Sequence, residues 1–164
     1  MNKKRIGIIA SIIVVIIFLL LSLKCCSTKK GKQLEKIDNA SEYIEFVEKL
    51  IEESDSVFSE FELWLLELDF RDLCTPEIGE AFSDYGERLV SLDERFDAKV
   101  YSGRERIMNL RKWEKYFDLC GDMGKKMIEI AEAIEEDNEK EVLNLLDELI
   151  EIHQGIVNIR GELK

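Results

Sequence analysis

The chain has 164 residues, with 23 Lys/Arg against 35 Asp/Glu and a formal net charge of −12. Seven of the 23 basic groups and none of the acids fall in residues 1–32, so residues 33–164 hold 16 basic against 35 acidic groups, a net of −19. A domain of that sign is repelled by phosphate backbones and anionic lipid, which argues against nucleic-acid binding, and a hydrophobic content of 46% in regular spacing argues against an acidic disordered tail.

The first element is a membrane anchor. Lys3, Lys4 and Arg5 make residues 1–5 a basic flank, and Ile6–Leu23 follows as eighteen uncharged residues, fourteen of them Ile, Val, Leu or Phe. At 1.5 Å per residue that run spans roughly 27 Å, close to the thickness of a bilayer core. Lys24, Lys29, Lys30 and Lys32 balance the charge beyond it. Orientation therefore rests on position: a basic N-terminus followed at once by an apolar run stays inside while the following chain is exported. The expected topology is a single pass, with the N-terminus cytoplasmic and the C-terminal domain extracytoplasmic. Ser22 to Ser27 lacks the small-residue pattern of signal-peptidase cleavage, and Lys24 stands where a lipobox needs a small residue before Cys25. An uncleaved signal anchor is the reading. Cys25 and Cys26 occupy the juxtamembrane position of acylated cysteines, and are either acylated or chemically silent.

Residues 24–37 are polar, basic and without pattern, and read as a short linker. Residues 38–164 read as one acidic helical domain, large enough for a core of its own. A first helix starts near Asp38, with Asp38, Asn39 or Ser41 as N-cap. Its stripe of Ile44, Val47, Ile51, Ser54, Phe58, Phe61, Leu65 and Leu68 recurs at spacings of 4 and 3, and Leu50, Val57 and Trp64 widen it to the face of a bundle helix. The opposite face is rich in glutamate and reads as solvated. The helix is expected to stop at Cys74-Thr75-Pro76, where Thr as N-cap and Pro at the first helical position open a second helix carrying Ile78, Phe82, Tyr85, Leu89, Leu92 and Phe96. Ser102 and Glu105 form a capping box that predicts the start of a third helix, with Leu110, Trp113, Phe117, Cys120, Gly124, Met127, Ala131 and Ile134 inward. Gly121 and Gly124 cost about 1 kcal/mol each relative to Ala inside a helix, which predicts a kink or a break there, and Gly124 with Ala131 would admit a close partner helix. Asn138 and Glu141 form a further capping box. The fourth helix then buries Val142, Leu145, Leu146, Leu149, Ile152, Ile156 and Ile159.

No strand-like alternation is legible after the anchor. Four amphipathic helices with short connections predict an all-α fold, an antiparallel up-down-up-down four-helix bundle preceded by one transmembrane helix.

The motifs of chemistry are missing. A di-iron bundle needs Glu-x-x-His pairs, but the single histidine, His153, follows Ile150 by three residues and lies at the flank of its stripe, where it reads as an edge-packing residue. No nucleophile elbow, phosphate loop, haem-attachment motif or EF-hand order occurs. Cys74 and Cys120 are a candidate disulfide if the domain is exported, and otherwise two apolar thiols. No catalytic, cofactor or metal site is expected. The functional expectation is a membrane-anchored, non-enzymatic bundle of the cell envelope that binds a partner protein, an envelope component or its own copies. The alternative is an extracytoplasmic small-molecule sensing domain.

Overall fold

The computed structural model describes residues 34–68 and 74–163. The expected anchor at 6–23, with Cys25 and Cys26, lies outside the described residues. Among the described residues no helix is long and apolar enough to cross a membrane.

Four helices carry most of the described chain: α1 (Ala40–Glu67), α2 (Pro76–Asp97), α3 (Leu110–Glu135) and α4 (Glu139–Leu163). The all-α class expected from periodicity holds. Of the three candidate caps for α1, Asn39 is the one used, its Oδ1 accepting from the backbone N–H of Ser41 at 2.9 Å and of Glu42 at 3.3 Å. The helix ends at Glu67, with Leu68 as C-cap, rather than running to Cys74. Pro76 takes the first turn of α2 as expected, although the Thr75 side chain makes no capping bond.

Two short strands correct the expectation that the domain holds none. β1 (Glu35–Ile37) precedes α1 and β2 (Lys99–Tyr101) follows α2, and they pair in parallel with Ile37 opposite Tyr101. Residues 35–37 therefore leave the unpatterned linker. Three residues are too few for period-two alternation to register, and the pairing joins segments more than sixty positions apart. The same pairing explains why the Ser102–Glu105 motif opens no helix. The Ser102 N–H donates to the Ile37 carbonyl at 2.8 Å and extends the ladder, while Gly103 passes so close to the Asp38 carbonyl and the Tyr101 ring that a Cβ has no room. Helix α3 begins only at Leu110, capped by Asn109 through its backbone.

Helix α3 does not break at its glycines and runs on through Gly121 and Gly124. Its glycines serve packing instead. A Cβ on Gly124 would lie 2.5 Å from the Gly86 carbonyl oxygen, and one on Gly86 would lie 2.7 Å from that of Gly124, so α2 and α3 cross backbone to backbone. The close approach expected at Gly124 is present, with α2 as the partner. Gly79 lies near Ile134, and Asp93 near Gly121, so the two helices run antiparallel. Glu53 with Arg95 and Glu60 with Arg88 set α1 antiparallel to α2. Lys112 with Glu162 and Lys126 with Glu148 do the same for α3 and α4. These pairs lie at or near the surface, where water and salt screen them, so their weight is in register more than in stability.

The core lies where α3 meets the other helices. Beyond the expected stripe, Tyr116, Met123, Ile130 and Ala133 are also buried, because α3 is covered on more than one side. Each fully buried large apolar side chain there is worth about 1.5–3 kcal/mol of transfer free energy. The turn from α3 to α4 closes as a Schellman motif. Asn138 N–H donates to the Ala133 carbonyl and Asp137 N–H to that of Ile134, both at 3.0 Å, with Asp137 at φ 54° in the left-handed place usually held by glycine. Asn138 then caps α4, accepting from Glu141 N–H at 3.3 Å, as the sequence motif indicates.

Candidate functional site

Neither described cysteine is bonded. Cys74 is half-buried ahead of α2 and Cys120 is buried in mid-α3, both as free thiols. Cys74 lies within electrostatic reach of Glu139 and Asp137 at the α3–α4 turn. Asp137 stands seventeen residues beyond Cys120, about 25 Å along a helix axis, whereas a disulfide needs Cα atoms within about 7 Å. The structure does not bring the pair together. Burial pushes the Cys120 thiol up to about 12. Desolvation, and after it the charges of Glu139 and Asp137, raises that of Cys74. Both shifts remove thiolate, so neither is an activated nucleophile.

His153 stands half-exposed on α4, its ring centroid 6.2 Å from that of Phe58 and its Nε2 3.7 Å from Glu62 Oε1. That is the edge-packing place expected of it.

A buried polar chain links α3 to α1. Ser54, fully buried, donates from Oγ to the Ile51 carbonyl at 2.8 Å, and its Oγ lies 2.7 Å from the Tyr116 hydroxyl. Because the serine proton is committed to Ile51, Tyr116 donates to Ser54 and is free to accept from the Cys120 thiol, to which it is hydrogen-bonded. Desolvation, above the other influences, raises the Tyr116 hydroxyl, so it stays protonated. The chain ends on the Ile51 backbone carbonyl, so its protons are committed to ordering α1 against α3.

Among the described residues the one strongly raised carboxyl is Asp93, on α2 against Gly121. Its Oδ1 is buried without a partner. Desolvation first, then Asp97, Asp118 and Asp122, raise it to about 6, with Lys125 opposing. Among the described residues no three His, Cys, Asp or Glu side chains are placed to hold a metal ion.

The surface carries two hollows of interest. A cleft of about 470 Å³ between α1 and α2 is floored by Val57 and Leu92 and walled by Arg88 and Arg95, both engaged by glutamates of α1. A smaller hollow of about 100 Å³ between α1 and α4 is apolar, lined by Phe61, Leu65, Met123, Leu149 and Ile150, with Glu62 and His153 at its rim. Beside it α4 exposes a second apolar line. Leu143 is 53% exposed, Ile150 65% and Val157 48%, at intervals of seven residues, and half-buried Leu146 and His153 fall between them. Leu66, 83% exposed, adds to the apolar surface of α1. Sequence reasoning missed this line because the richer inward stripe of α4 masks it, although the seven-residue recurrence was there to be read.

No family model, curated protein or solved structure matches the chain.

Proposed function

We propose that the protein is a single-pass membrane protein, anchored by residues 6–23, whose acidic extracytoplasmic domain is a non-enzymatic antiparallel up-down-up-down four-helix bundle that binds a protein partner. The pairwise directions support the bundle: α1 with α2, α2 with α3 and α3 with α4 each run antiparallel, and Asp55 with Arg160 puts α4 alongside α1. The observation that carries the binding role is the outward line Leu143, Ile150 and Val157, apolar on a surface otherwise dense in acid. Exposed apolar lines of this kind mark interaction surfaces.

Deleting residues 6–23 should move the protein from the carbonate-resistant membrane pellet to the soluble fraction. Recovery of the intact chain in the soluble fraction contradicts the anchor, and turnover in a broad hydrolase panel contradicts the non-enzymatic role. A small-molecule sensing domain is the second reading, and the α1–α2 cleft is what favours it. A rise in melting temperature with a small ligand, lost on altering Val57 or Leu92, would put that reading first.

A further inference from the structure

The net charge of the domain repels anionic surfaces as a whole, but that charge is unevenly placed. Residues 99–115 hold six bases, Lys99, Arg104, Arg106, Arg111, Lys112 and Lys115, against Glu105 and Glu114, a net of +4 in a domain whose remainder carries −23. Pairing is uneven too. Eight bases among the described residues are engaged by carboxylates. Those paired with no carboxylate among the described residues are Lys36, Arg104, Arg106, Arg111 and Lys115, all exposed, and Lys140. With 35 acids to 16 bases in residues 33–164, an unpaired arginine is the unexpected state. Three of them stand within eight positions.

These bases share the end of the domain at which the described chain begins. β2 lies beside β1, with Lys36 opposite Val100, and Gly103 packs on the Asp38 carbonyl ahead of α1. Lys112 reaches Glu162 at the far end of α4. Arg111 and Lys115 are one turn apart on α3 and so share a face. The same end exposes apolar side chains. Met108, in the loop between β2 and α3, is 89% exposed, Leu34 50% and Val100 41%. Unpaired arginines beside a projecting apolar side chain are the composition of a surface that meets lipid headgroups.

We infer that the β2–α3 loop and the first turns of α3 dock on the anionic phospholipid headgroups of the membrane that holds the chain's own anchor. This rests on the single-pass reading above. Only residues 24–33 separate the proposed anchor from Leu34, roughly 35–40 Å at full extension, and four of those ten are lysines with no acid among them. The tether decides between lipid and any other acidic partner, because it holds the bilayer within reach of these bases at all times. The acid-rich remainder of the domain is repelled by the same surface, so charge turns the basic end toward it. Arg104, Arg106 and Arg111 then donate to phosphate oxygens, and Met108 enters the headgroup layer. Each base at an anionic surface multiplies occupancy by on the order of fivefold.

The test places a photoreactive amino acid at Met108 of the full chain, reconstituted in nanodiscs of phosphatidylcholine with or without phosphatidylglycerol. The expected product is the chain plus one phospholipid, about fivefold more of it with the anionic lipid, and suppressed as salt rises from about 0.1 M to about 0.5 M. The same group at exposed Leu143, nineteen residues before Glu162 and so roughly 28 Å away along α4, should give no lipid adduct. Arg104→Glu, Arg106→Glu and Arg111→Glu together should cut the Met108 adduct at least tenfold with the helical spectrum unchanged. An adduct equal in neutral and anionic nanodiscs, or undiminished by the charge reversal, overturns headgroup recognition. No adduct from a chain that stays in the nanodisc overturns the docking and leaves the anchor standing, whereas a chain that leaves the nanodisc overturns the anchor. In intact cells, a Met108 adduct with a protein in place of lipid overturns the lipid as occupant.

Discussion

Replacing Gly86 or Gly124 by alanine tests the α2–α3 crossing most sharply, because two effects of opposite sign compete. In an isolated helix each change stabilises by about 1 kcal/mol. Here the new Cβ of Gly124→Ala would lie 2.5 Å from the Gly86 carbonyl oxygen and 2.9 Å from the Val90 nitrogen. Both are backbone atoms, so the helices themselves must separate, by roughly 0.5–1 Å to restore ordinary contact. A gap of that size forfeits a quarter to a half of each dispersion contact along the crossing, and overpacking of this kind costs about 1–3 kcal/mol. With the added loss of fit around Met127 and Ile128, which a Cβ on Gly86 would also press, the net is a destabilisation of about 1–2 kcal/mol per site. For a domain of this size that lowers Tm by roughly 4–8 °C. The assay is thermal denaturation followed by circular dichroism at 222 nm. Gly161→Ala is the control, since nothing lies within 4 Å of a Cβ there, and it should be neutral or slightly stabilising. Gly86→Ala and Gly124→Ala proteins as stable as the native chain would refute the backbone-to-backbone crossing.

Asp93→Asn should make stability less dependent on pH. The carboxyl ionises near 6 in the fold against an ordinary 3.8, so the fold holds its proton more tightly. That contribution is complete below 3.8 and is lost as pH rises through about 6. Denaturant titrations should therefore show the variant more stable at pH 7, by about 1 kcal/mol once solvent screening of the half-buried group is allowed for, with the gain fading toward pH 4. A difference independent of pH contradicts this. Ser54→Ala and Tyr116→Phe should each cost about 1–2 kcal/mol, and the double variant should cost less than their sum by about 1 kcal/mol, measured as a double-mutant cycle. Strict additivity would mean the 2.7 Å contact carries no energy. Asp137→Gly should raise Tm, with a gain of about 1 kcal/mol from relieving the left-handed backbone, whereas a loss would place the α3–α4 turn in another conformation.

Local signals were legible wherever they sufficed. The Thr75-Pro76 start of α2, the Asn138 cap of α4 and the inward stripes all rest on residues within a few turns of one another. The strands at Glu35–Ile37 and Lys99–Tyr101 rest on each other across α1 and α2, and neither carries a pattern alone. Ser102–Glu105 has the letters of a capping box, but the ladder to Ile37 claims the Ser102 N–H first. Gly121 and Gly124 read as a helix weakness because Gly86 and Asp93, the groups that fill the space, lie on another helix. Burial of Tyr116, Met123 and Ile130 depends likewise on α3 being packed on several sides, which no single-helix periodicity reports. On α4, two seven-residue recurrences overlap, and only packing separates the inward one from the line that faces out.

Protease shaving of intact cells, with detection of the C-terminal domain, tests the proposed role most directly. Loss of the domain in unlysed cells, with the N-terminal flank protected, is the expected result for an anchored bundle that presents α4 outside the membrane. Protection of the domain until lysis would contradict that placement, leaving the acidic domain on the cytoplasmic side with its partners there.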